Sequence, residues 1–206
     1  MPATRLIAAA CVVGAWLLLC VWARRRALRH EAQQAQALHA LDAPVPEDAL
    51  LVAYATQTGY AESLAAQTAE SLRAGGLAIR VAALEQLDIR RLADYRRMLF
   101  VVSTYGEGDP PDAAAAFAEQ MQQAAPALAG AHYAVLALGD SEYAQFCGFG
   151  HRLDDWLHAQ GATPLFDLVE VDNGDPAALR HWQHHLGLLA GRSDLPDWQT
   201  PEYESW

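Results

Sequence analysis

From residue 49 onward, short apolar runs alternate with amphipathic stretches, and this alternation restricts the chain to very few folds. Leu50–Ala55 (LLVAYA) is a short apolar run, read as a buried strand. Glu62–Ala74 carries Leu64, Ala65, Thr68 and Leu72 at helical spacing, and Gly75-Gly76 closes it. Leu77–Leu84 and Met98–Val102 read as the second and third strands. Ala113–Ala125 reads as a helix with Asp112 as its N-cap. His132–Leu138 is the fourth strand, Gly150–Gln160 a helix stopped by Gly161, Pro164–Val171 the fifth strand and Asp175–Leu189 the last helix. Five strands interleaved with four helices predict a five-stranded parallel α/β sheet with helices on both faces. Ligands on such sheets bind beyond the carboxyl ends of the strands.

Three loops at those ends carry unusual chemistry. The first strand runs into Thr56-Gln57-Thr58-Gly59-Tyr60-Ala61-Glu62, just before a helix. Backbone N–H groups at a helix N-terminus lack intrahelical partners and face the positive end of the helix dipole, which suits a phosphate monoester. The Gly-Lys-Ser/Thr signature of triphosphate loops is absent, and a single glycine excludes a dinucleotide loop. The third strand runs into STYGEGDPPD (103–112), where Tyr105 offers a flat face for stacking. The fourth runs into Leu138-Gly139-Asp140-Ser141-Glu142-Tyr143-Ala144-Gln145-Phe146-Cys147, with a second tyrosine. Two tyrosines can clamp one aromatic ring while the first loop holds a phosphate, which is the outline of flavin mononucleotide (FMN).

TQTGYAE, STYGEGDPPD and LGDSEYAQFCGFG, in this order, resemble the FMN domain of the diflavin reductase family, over about residues 49–190. That family includes microsomal NADPH–cytochrome reductase and the sulfite reductase flavoprotein. The resemblance implies a flavodoxin-like fold and FMN as cofactor. It places Thr56, Gln57, Thr58, Gly59, Tyr60 and Ala61 at the phosphate. It places Ser103, Thr104, Tyr105 and Gly106 on one flavin face, with Tyr105 stacking, and Leu138–Cys147 on the other, with Tyr143 as the outer ring. In the family, the peptide at the Gly106 position responds to flavin redox state. Asp172 falls near a family acid that approaches the cofactor. Tyr60 departs from the usual Thr or Asn. Glu107, Asp109 and Asp112 match an acidic rim used for docking partners.

The rest of the chain bounds the setting. Residues 6–23 are eighteen uncharged, mostly apolar residues, followed by Arg24, Arg25, Arg26 and Arg29. At ~1.5 Å per residue they span about 27 Å, near the ~30 Å hydrocarbon core. This predicts a single-pass transmembrane anchor (1–26 with its basic flank) in the inner membrane, with the C-terminal side in the cytoplasm. Residues 27–48 read as a linker, 49–190 as the domain and 191–206 as a tail with Trp198, Tyr203 and Trp206. Residues 43–206 hold nine arginines, no lysine and 23 acids, a balance of −14 that argues against nucleic acid and suits a basic protein partner. Of three cysteines only Cys147 lies in the domain, so no disulfide framework forms there. His181, His184 and His185 have helical spacing, but no third acidic or thiol ligand is evident, and they read as a solvated face. Trp182 reads as packing that helix on the sheet.

A diflavin reductase also needs an FAD/NADPH module, for which this sequence shows no site. The expected function is a membrane-anchored shuttle, passing single electrons from a separate NAD(P)H/FAD reductase to a haem or iron–sulfur acceptor, with no catalytic residue of its own. Two alternatives stand beside it. One is a self-sufficient NAD(P)H-dependent quinone or ferric reductase; the other is a non-redox anchor or assembly module.

Overall fold

The computed structural model describes residues 46, 48–192 and 198. The anchor at 6–23, nearly all of the linker, and the tail apart from Trp198 lie outside the described residues. Among those described, no helix is long and apolar enough to cross a membrane.

The strands are β1 (Leu50–Ala55), β2 (Ile79–Ala83), β3 (Arg97–Ser103), β4 (His132–Gly139), β5 (Thr163–Pro164) and β6 (Val169–Asp172). They form a parallel sheet in the order β2-β1-β3-β4-β5, with β6 also pairing β4. The helices are α1 (Tyr60–Ala74), α2 (Ala115–Gln123), α3 (Gly148–Ala159) and α4 (Pro176–Leu189). β1 and β3 form a parallel pair from Leu50↔Arg97 to Ala55↔Val102. Both strands are buried along nearly their whole length, and burial on both faces explains why they read as continuous apolar runs rather than alternating ones.

Side chains alternate across the sheet. Leu50, Val52, Leu99, Val101 and Leu136 join one buried cluster with Leu64 and Leu72 of α1 and Trp182 and Leu186 of α4. On the opposite face α3 lies close on β4. A Cβ built on Gly150 would sit 2.4 Å from the Ala137 Cβ, so only glycine lets this helix approach. α4 starts cleanly because the Asp175 carboxylate accepts from the N–H groups of Ala177 and Ala178, both at 3.1 Å, and Pro176 occupies the first turn.

Three expectations are corrected. The fifth strand is interrupted, so the sheet has six strands rather than five. Thr163 and Leu165 donate to Ala131 O and Tyr133 O at 2.9 and 2.7 Å, so the N–H that Pro164 lacks faces away from β4, and after Leu165 the chain leaves the ladder. Phe166 then turns onto α4, edge-on to Trp182 at 5.5 Å, and pairing resumes at Val169. Second, Asp112 caps no helix. It opens a 3-10 turn (Asp112–Ala114), α2 begins only at Ala115, and no side chain caps either. Third, α1 starts at Tyr60 and α3 at Gly148, each two residues before its expected start, because Gly59 (φ 97°) and Cys147 (φ 53°) adopt left-handed backbone that delivers the chain straight into the helix.

Candidate functional site

All strands point the same way, so their carboxyl ends share one rim. β1 sits between β2 and β3, and successive connections leave it in opposite directions, which opens a crevice at the ends of β1 and β3. A pocket lies there, lined by loops from β1, β3, β4 and β6.

The first wall is the turn between β1 and α1. Thr56 Oγ1 accepts from Gly59 N–H at 2.8 Å, which folds the turn back. Gly59 stands at the N-cap with φ 97°, a conformation most side chains resist, and no side chain caps the helix. The first-turn N–H groups and the positive end of the helix dipole are therefore directed at the pocket rather than at a protein carboxylate. Gln57, Thr58 and Tyr60 line the pocket.

The second wall is a tight hairpin after β3. Tyr105 and Asp109 exchange two backbone hydrogen bonds, 2.8 and 2.9 Å, around Gly106 and Gly108. This pins Tyr105 at the rim with 49% of its surface exposed. The third wall follows β4, where Asp140 Oδ1 accepts from Glu142 N–H at 2.9 Å and Asp140 O from Tyr143 N–H at 3.2 Å. Tyr143 is 46% exposed. Two large rings, half open to solvent, thus border one pocket from two separate loops. An unsatisfied aromatic face of this kind gains by stacking on a planar guest.

Two cross-loop clamps hold the walls together. Gln57 donates from Nε2 to Asp112 Oδ2 at 3.2 Å and accepts from Asp112 N–H at 3.0 Å, joining the first loop to the second. Asp172 accepts from Ser141 N–H at 2.9 Å and from Ser141 Oγ–H at 2.5 Å, joining the third loop to the end of β6. These bonds from Ser141 hold the Asp172 carboxyl below its ordinary pKa. A group with a lowered folded pKa contributes stability above its unfolded pKa, about 3.9, and loses it as pH falls through the folded value. Asp172→Ala is accordingly expected to lower stability by about 0.5–1 kcal/mol, a discounted figure for an exposed clamp. Denaturant midpoints of wild type and variant should differ above about pH 4 and converge below it; a pH-independent difference would remove the clamp's electrostatic origin.

Of the residues expected from sequence, Gln57, Thr58, Tyr60, Ser103, Thr104, Tyr105, Gly106, Leu138, Gly139, Asp140, Tyr143, Gln145 and Cys147 line the pocket. Thr56, Gly59, Ser141 and Asp172 shape the loops without lining it. Ala61 is fully buried in the core. Glu142 and Ala144 are exposed, and Phe146 packs beside Gly139. Val171 and Gly174 also line the pocket and escaped the sequence reading, although the Asn173-Gly174 turn after β6 is a visible signal. Cys147 is buried, its thiol donating to Ala137 O at 3.2 Å. Burial above all, then the Glu170 charge, pushes its pKa up to about 12, so it is a packing residue and not a nucleophile. Of the acidic rim, Glu107 and Asp109 are exposed, whereas Asp112 is engaged by Gln57.

Residues 52–182 match the flavodoxin family. The chain is similar to the sulfite reductase [NADPH] flavoprotein alpha-component of Shewanella sp. (strain ANA-3), 38% identical over 155 residues, covering 75% of this chain and 25% of that protein. It is 36% identical over 148 residues to the protein of the same name from Neisseria meningitidis serogroup C (strain 053442), covering 71% and 24%. The chain thus spans about a quarter of the length of these relatives. Among solved structures it is similar to a Streptococcus pneumonia TIGR4 flavodoxin, with TM-score 0.62 and 26% identity over 69% of this chain and 98% of that one. Oxidised Flavodoxin 2 from Bacillus cereus gives TM-score 0.58 and 26% identity over 68% and 95%.

Proposed function

Because the chain belongs to the flavodoxin family, as an FMN-binding electron-transfer domain related to the sulfite reductase flavoprotein, we propose that it relays single electrons from a separate NAD(P)H/FAD reductase to a haem or iron–sulfur acceptor while anchored to the cytoplasmic membrane by residues 6–23. The observation that supports it best is the meeting of Tyr105, Tyr143 and an uncapped helix N-terminus in one pocket.

The residues fit FMN. The turn Thr56–Gly59 and the start of α1 would hold the phosphate through backbone N–H groups. Tyr105 and Tyr143 would stack on the two faces of the ring. The Ser103–Gly106 and Leu138–Asp140 backbone would border its edge. Bound FMN supplies the one-electron chemistry, and the protein supplies orientation, exclusion of water and a docking face. The clamps Gln57–Asp112 and Ser141–Asp172 fix the distance between the walls. The exposed carboxylates Glu107, Asp109 and Glu142 around the opening would steer a basic partner to it. Tyr60, where the family has a smaller residue, lines the pocket and packs partly on the core, leaving the backbone donors of the turn in place.

Dithionite titration of the purified full chain tests the cofactor: a stoichiometric, reducible flavin is expected, and a colourless, redox-silent protein overturns the reading. Steady NADPH oxidation by the chain alone would remove the need for a donor partner. Alkaline extraction of membranes tests the anchor, with the chain expected to stay in the pellet and its release overturning that part.

A further inference from the structure

His181 and His185 lie one helical turn apart on α4, outside the pocket. Sequence spacing alone makes them a solvated face, but the structure turns their rings toward each other. The two Nε2 atoms are 3.1 Å apart, and the rings meet nearly edge to face, at 80° with centroids 4.5 Å apart. The His185 ring is fixed from behind. It stacks on Phe166 at 3.9 Å and 6°, the residue that the interruption between β5 and β6 delivers to α4. His184 lies off to the side, its centroid 6.1 Å from that of His185.

We propose that His181 and His185 form a two-imidazole chelate for a late first-row divalent cation, with copper(II) bound most tightly. The distance carries the argument. With metal–nitrogen bonds of ~2.0–2.1 Å, a separation of 3.1 Å closes a nitrogen–metal–nitrogen angle of about 100°. That lies between the square-planar and tetrahedral values, so both nitrogens reach one ion without moving the helix. Imidazole suits copper, nickel and zinc, and the order of affinities places copper(II) first. The stack on Phe166 sets the ring in advance, which removes much of the ordering cost of binding. Burial, together with the neighbouring His181 and His184, lowers the His185 pKa against the opposing charge of Asp167, which favours the neutral ring that a metal requires. Among the described residues no third histidine, cysteine or carboxylate joins the pair. Solvent therefore completes the coordination, and the ion exchanges readily.

The test is a copper(II) titration of the full chain as purified, read by electron paramagnetic resonance and by competition with a chromophoric chelator. One equivalent per chain is expected, with coupling to two imidazole nitrogens. His181→Ala and His185→Gln should each weaken it by more than the ~10–100-fold seen when a ligand's outer-shell partner is removed. His184→Ala should leave it unchanged. Melting curves confirm that the variants fold. If the first equivalent binds equally well to His181→Ala and His185→Gln, or is lost equally in His184→Ala, the two rings only share an N–H···N hydrogen bond and the chelate is wrong.

Discussion

Replacing Tyr105 and Tyr143 together by alanine is expected to weaken FMN binding by about 30- to 20,000-fold while hardly changing the melting temperature of the apoprotein. Both rings are about half exposed, at 49% and 46%, and neither belongs to the buried core. Their removal therefore leaves the sheet intact. Stacking of a planar heterocycle on an aromatic side chain contributes ~1–3 kcal/mol by alanine substitution, so losing both faces costs about 2–6 kcal/mol, with each 1.4 kcal/mol a factor of ten. Fluorescence titration of the apoprotein with FMN reads the change. Tyrosine to phenylalanine at either position keeps the ring and should cost little. An unchanged dissociation constant in the double alanine variant would show that the flavin ring sits elsewhere.

Trp182→Ala is expected to act on stability rather than on the cofactor. Trp182 is fully buried, its indole Nε1 donates to Thr68 Oγ1 at 3.1 Å, and Phe166 meets it edge-on. It joins α4 to α1 and to the sheet through one side chain. Truncation leaves a large cavity and an unpaired buried hydroxyl, which together cost about 3–5 kcal/mol. For a domain of this size, ~2–4 °C per kcal/mol gives a fall in melting temperature of about 6–20 °C. Trp182→Phe keeps most of the volume and should recover part of it. A fall of less than about 3 °C would mean that α4 is held by its other contacts.

These three residues also show how far the sequence is legible. Trp182 was readable as a packing residue because it lies on the same helical face as Leu179 and Leu186, and both are buried. Tyr105 and Tyr143 were readable because each follows an apolar strand whose carboxyl end must reach the common rim. Periodicity carries both inferences. The Phe166 position was not readable, since Pro164–Val171 has the composition of a continuous strand. Only the packing of Phe166 on Trp182 and His185 shows why the strand breaks there. Asp112 looked like a helix cap because it follows two prolines. Its carboxylate instead accepts from Gln57, 55 residues away.

By itself the sequence determined the parallel α/β sheet, the rim on which the loops gather and the two aromatic faces of the site, because each depends on local period, turn chemistry and the shared direction of the strands. The tertiary structure alone decided what crosses between distant segments: the Gln57–Asp112 and Ser141–Asp172 clamps, the interruption between β5 and β6, and the 3.1 Å approach of His181 to His185. Those contacts depend on side-chain direction after packing, which hydrophobic periodicity does not encode.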